Sequence, residues 1–148
     1  MDFTAKQIDQ FVKKFDASLL TSSRHAYHRD TLWLGVIDKA PGIYAIFIKD
    51  TLVYIGETAD LRARMGDIRR TYNHTFRRKL GQKEFNGVLE GNKFSELIED
   101  ELHNFCEKHV EIVFQVLHFG RLEVESRLIA KYGNQLLNSP RKRGKKKK

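Results

Sequence analysis

Two runs of β-branched and aromatic residues, GIYAIFI (42–48) and TLVYIG (51–56), flank Lys49-Asp50 and constrain this chain more than any other stretch. Such runs about a short polar break predict a β-hairpin. Both faces of each run are apolar, so the sheet must be covered on both sides. That requires helices from elsewhere in the sequence, and the rest of the chain supplies them.

TAKQIDQFVKKF opens with Thr4 and Gln7 at capping-box spacing, followed by Ile8, Phe11, Val12 and Phe15 at helical spacing. ADLRARMGDIRRTY predicts a helix with Thr58 or Asp60 near its start, and HTFRRKLG a second piece ended by Gly81. FSELIEDELHNFCEKH carries Phe94, Leu97, Ile98, Leu102 and Phe105 on one helical stripe. VEIVFQVL predicts a third strand. A last helix, LEVESRLIAKYGNQLLN, carries Leu122, Leu128 and Ile129 and breaks near Gly133. The order α-β-β-α-α-α-β-α predicts an α+β fold: a small three-stranded antiparallel or mixed sheet flanked by helices.

At 148 residues the chain is expected to form one domain over 1–140, with a helical N-terminal extension, a core at 41–138 and a basic disordered tail at 141–148. No apolar run approaches membrane-spanning length, and the first residues do not open a signal peptide. Cys106 is the sole cysteine, which predicts a reducing, cytoplasmic setting and a buried small hydrophobe. The net charge of +8 is unevenly spread. The tail RKRGKKKK holds seven basic residues; without it 20 basic face 19 acidic. Residues 62–83 carry eight basic residues against Asp67, and 84–107 carry seven acids against Lys93. A chain polarised in this way can turn one electropositive face to a polyanion.

GIY at 42–44, YIG at 54–56, Arg64, Glu125 and Asn138, in this order, resemble the GIY-YIG nuclease superfamily. YIGETADLRAR looks like its tyrosine-to-arginine segment, and ESRLIAKYGNQLLN is similar to its closing helix. The resemblance covers Pro41 to Asn138 and implies a three-stranded antiparallel sheet flanked by helices. It also implies a site built from Tyr44, Tyr54, Arg64, Glu125 and Asn138.

Each position has a chemical reason. Both tyrosines can serve one site only from one face of the hairpin. A two-residue turn at Lys49-Asp50 would pair 44 with 55 and send them to opposite faces. A three-residue loop, Ile48 to Asp50, would set Tyr44 opposite Tyr54, with Asp50 in the left-handed position, and this is the loop we expect. Arg64 offers phosphate a fixed fork of donors that keeps its charge. Arg62, about 200° around the helix, would meet the DNA backbone or solvent. Glu125 would be the sole carboxylate on a divalent metal, Mg²⁺ with Mn²⁺ as a substitute; Glu123 is its rival. Asn138 would support the site or cap the closing turn.

Where many members of that family have a histidine or tyrosine four residues after the arginine, this chain has Ile68, which should pack in the core. His74 is the nearest replacement, with Tyr72 a weaker one, so the general base is either Tyr44 or His74. Arg69, Arg70, Arg77, Arg78 and Lys79 would bind backbone phosphates. The resemblance implies a metal-dependent DNA endonuclease, restriction-type, with a homodimer on a palindrome as one arrangement. The alternatives are a structure-specific repair or recombination nuclease, or a catalytically silent nucleic-acid-binding module.

Overall fold

The computed structural model describes residues 4–138, and the basic tail lies outside the described residues. Among them five α-helices and four strands follow the order α1 (Ala5–Thr21), β1 (His25–Ala26), β2 (Gly42–Ile48), β3 (Thr51–Thr58), α2 (Leu61–Asp67), α3 (Thr75–Phe85), α4 (Glu96–His109), β4 (Val110–Val116) and α5 (Arg121–Tyr132). The fold is α+β. Its sheet has the order β1-β4-β2-β3, with every neighbouring pair antiparallel. The expected three strands are thus four, because His25–Ala26 pairs with Ile112 and Glu111. A two-residue strand carries no alternation from which to predict it.

The sheet separates two cores, as its doubly apolar hairpin requires. On β2, Ile43, Ala45 and Phe47 face α1 and α5, packing with Phe15, Val124 and Leu128. Tyr44 and Ile46 face the other way, toward Leu61, Met65, Ile68, Phe76 and Leu102. Ile68 is fully buried, as the sequence predicts. Cys106 is buried too, and burial pushes its thiol up to about 12. The capping box at Thr4 and Gln7 forms, with both reciprocal bonds present. Ion pairs from Arg127 to Asp9 and from Lys131 to Asp16 tie α5 to α1. Two predicted stripe residues lie outside the core: Leu97 on α4 is 70% exposed and Leu122 on α5 is 51% exposed.

The hairpin reaches the expected result by a different device. Lys49 and Asp50 both have positive φ (49° and 72°) and form a two-residue turn, with Ile48 opposite Thr51 and Phe47 opposite Leu52. The register then shifts, and Ile46 faces Tyr54. Val53 is the extra residue of a β-bulge, and that one-residue slip turns Tyr54 to the face of Tyr44. The expected three-residue loop is therefore corrected to a tight turn plus a bulge. Asp50 does hold the left-handed position.

β3 is the edge strand nearest the site, and its outer edge is closed by α5 and the residues after it. Gln135 Nε2 donates to the Leu52 carbonyl (2.9 Å) and the Leu137 amide to that of Val53 (2.6 Å). Asn138 takes both groups of Ile55, accepting from its amide (3.0 Å) and donating to its carbonyl (2.7 Å). Glu125 Oε2 accepts the Glu57 amide (3.1 Å). An open strand edge is thereby satisfied largely by side chains.

Candidate functional site

β2 and β3 present Tyr44 and Tyr54 side by side, rings 6.2 Å apart and 22° from parallel. Gly56 lies opposite Tyr44. A Cβ there would sit 2.3 Å from Tyr44 Cζ, so this position admits only glycine if the ring is to lie across the strand. Gly42 is crowded likewise, its missing Cβ 2.4 Å from the Gln115 carbonyl and 2.6 Å from Leu61 Cδ1. The glycines of both tripeptides thus have steric reasons.

α2 begins with Asp60 as its cap, whose carboxylate accepts the Ala63 amide. One turn later it delivers Arg64. Arg64 Nε donates to Tyr44 Oη at 3.3 Å, and Nη1 to the Asn73 carbonyl (3.1 Å) and Asp67 Oδ2 (3.4 Å). Burial works to lower the guanidinium's pKa. Tyr44, Tyr54 and Asp67 outweigh it, so the group is raised and stays charged.

His74 caps α3 with its side chain: Nδ1 accepts the Phe76 amide at 3.0 Å. A backbone amide can only donate, so the Nδ1 lone pair is in use. The neutral ring therefore carries its proton on Nε2. Nε2 lies 2.8 Å from Tyr44 Oη and donates to it. Burial, and then the charges of Arg64 and Arg78, hold the imidazole well below its ordinary value. Neither nitrogen of this neutral ring is available to take a proton from water. In this bond His74 donates and the Tyr44 oxygen accepts.

Tyr44 Oη thus accepts two N–H donors, from His74 and Arg64. Both favour a phenolate, yet burial first and Tyr54 second raise the hydroxyl above its usual value. In the free protein Tyr44 is a phenol held by two donors. Tyr54, 8% exposed, completes the aromatic cluster, its ring 5.1 Å from that of His74.

Glu125, on the second turn of α5, is 4% exposed and lies near enough for its charge to raise Tyr44 further. Glu57, whose amide it accepts, pairs its own carboxylate with Arg121 Nε at 3.1 Å. Among the described residues no group of three or more His, Cys, Asp or Glu side chains is placed to hold a metal. Glu125 would offer a cation one carboxylate, and Mg²⁺ is a cation that one or two carboxylates can hold while it keeps several waters. Glu123 sits in the first turn of α5 and is exposed.

The predicted phosphate contacts divide. Arg77 is wholly buried, its guanidinium bonded to Thr71, Tyr27 and Glu99, so its assignment as a DNA contact is corrected. It lies on the face of α3 that also buries Phe76, Leu80 and Gly81. Arg62 donates to the carbonyls of Ile37 (2.8 Å) and Gly35 (3.4 Å), and Arg69 to that of Arg29 (3.0 Å). Arg78 ties down Thr71, Tyr72 and Thr75. These three and Lys79 are half-buried, and Arg70 is exposed. Asn138 clamps Ile55, beside Tyr54, and so supports the strand. Thr71, Asn73 and Glu99 contribute to the arrangement although no motif or spacing points to them.

No helix among the described residues is long and apolar enough to cross a membrane. Comparison with family models, with curated proteins and with solved structures gives no match to this chain.

Proposed function

We propose that this chain is a metal-dependent DNA endonuclease of the GIY-YIG type that hydrolyses backbone phosphodiesters, in the manner of a restriction enzyme. The observation that supports it is the meeting of Arg64 Nε and His74 Nε2 on one tyrosine oxygen, with Glu125 close by. A hairpin core does not need a charged arginine and a neutral histidine on the same buried hydroxyl. Phosphoryl chemistry can use both.

In this reading the attacking water gives its proton to the Tyr44 oxygen in phenolate form. The two N–H donors carry the phenolate charge that burial disfavours. The water oxygen bonds to phosphorus, the bond to the leaving oxygen breaks, and that oxygen takes a proton from solvent. Arg64, partly exposed beyond its tyrosine contact, stabilises charge on the non-bridging oxygens. Tyr54 orients the water or the phosphate. Glu125 would hold Mg²⁺, with Mn²⁺ able to substitute; when bound, such a cation stabilises the leaving oxygen. Arg70 and Lys79 contact flanking phosphates, and a homodimer would suit a palindromic site.

The test is nicking of supercoiled plasmid with Mg²⁺ or Mn²⁺, wild type beside Glu125→Ala. Metal-dependent cutting by the wild type that the variant lacks is the expected result. Salt-sensitive binding without cutting by either protein, on plasmid and on branched DNA, would overturn the assignment in favour of a silent binder.

A further inference from the structure

Glu99 lies on α4, outside every motif that marks the site, yet its carboxylate is the junction of a network reaching into it. Oε1 accepts the Thr71 hydroxyl at 2.6 Å and Arg77 Nη2 at 3.1 Å, while Oε2 accepts the Phe94 amide at 3.0 Å. Burial works to raise this carboxyl, but those bonds hold it below its ordinary value. Arg77 also donates from Nε to Thr71 Oγ1 (3.3 Å) and from Nη1 to Tyr27 Oη (3.0 Å). Tyr27 Oη in turn meets His103 Nδ1, on α4, at 2.9 Å. A buried guanidinium keeps its place only while these partners hold theirs.

Thr71 and Arg77 stand three residues before and three residues after His74. The segment that carries His74 is therefore pinned at both ends to one carboxylate. Two hydrogen bonds run from it to the site: His74 Nε2 to Tyr44 Oη, and Arg64 Nη1 to the Asn73 carbonyl. We propose that Glu99, acting through Thr71 and Arg77, is a positioning residue that sets where His74 and Asn73 hold Tyr44 and Arg64. The catalytic consequence rests on the nuclease reading above; the positioning itself does not. Displacing a donor by about 1 Å costs on the order of 100-fold in rate.

The test combines two readouts on Glu99→Ala and Thr71→Val, with Glu101→Gln on the exposed side of α4 as control. The first is the ring nitrogen and Nε2–H signal of His74 by NMR, in protein shown to be folded by circular dichroism. The second is plasmid nicking resolved into kcat and KM. We expect a protected Nε2–H in wild type and control, and its loss to solvent exchange in both variants. We expect kcat to fall by about 10- to 100-fold with KM within about twofold. Should Glu99→Ala fail to fold, Thr71→Val, which keeps the side-chain shape, carries the test. Folded variants that keep the wild-type His74 signal would overturn the proposal, whatever their melting temperatures. If the wild type cuts no DNA, the nuclease reading fails and the ring signal alone decides the positioning role.

Discussion

Gly56 and Tyr44 face each other across β2 and β3 so closely that a methyl group on Gly56 would lie 2.3 Å from the tyrosine's Cζ. The tyrosine ring occupies the space where any other residue would keep its side chain. Its far side is held by Arg64, His74 and Tyr54, so it has no slack. Gly56→Ala should leave the fold intact at a cost of about 1–3 kcal/mol while driving Tyr44 off its two donors. Nicking should fall on the order of 100-fold, measured on protein whose circular dichroism matches the wild type. A fully active variant would mean that the ring position is not needed.

The bonding of His74 makes a statement about pH. Its Nδ1 is consumed by the Phe76 amide and the ring stays neutral, so no limb from an imidazole base near about pH 6.5 is expected. Tyr44, raised by burial and by Tyr54, gains phenolate as pH rises. The logarithm of the rate should climb with roughly unit slope between about pH 7 and about pH 9. Tyr44→Phe should abolish that climb. An inflection near about pH 6.5 that His74→Gln removes would transfer the base role to the histidine.

The same histidine ties stability to acidity. Unfolded, its imidazole binds a proton near about pH 6.5; folded, burial and the charges of Arg64 and Arg78 hold it well below that. Below about pH 6.5 the unfolded state therefore binds more protons, and stability falls as pH falls. His103, lowered to about 4 by burial and then by Arg77 and Arg29, acts with the same sign. Urea denaturation at about pH 7 and about pH 5 should give a clear loss on acidification, and His74→Gln should shrink it. An undiminished loss in that variant would place the acid sensitivity elsewhere.

Arg70 and Arg77 should part company on substitution. Arg70→Ala should weaken DNA binding evenly across sequences and reduce the slope of log affinity against log salt by about one, without changing stability. Arg77→Ala removes a buried charge from Glu99, Tyr27 and Thr71, and should cost about 3–5 kcal/mol in denaturant. Titration of DNA at several salt concentrations and a urea melt separate the two. A stable Arg77 variant with a reduced salt slope would restore it as a phosphate contact.

What is legible in the sequence is local. The hairpin, the helix that brings Arg64 back, and the burial of Ile68 follow from short-range pattern. That the tyrosines share a face follows from the chemistry they would have to do. The bulge at Val53 does not, because it arises from how two strands settle their register. In a count of charges Arg77 is one more cation, and only its place on the apolar face of α3, with Phe76 and Leu80, decides otherwise. Glu99 is one acid in a run of acids, and only the docking of α4 against Thr71 and Arg77 sets it apart.

The closing of β3 reaches beyond the chemistry. Glu125 and Asn138 occupy the edge where another chain's strand would otherwise attach, so the proposed metal ligand and the strand's own clamp also keep the sheet to itself. A variant that disables them uncovers a pairing surface in the same stroke. In a cell, loss of cutting and loss of solubility would then arrive together. A variant silenced this way is a poor control for toxicity unless its aggregation is measured alongside.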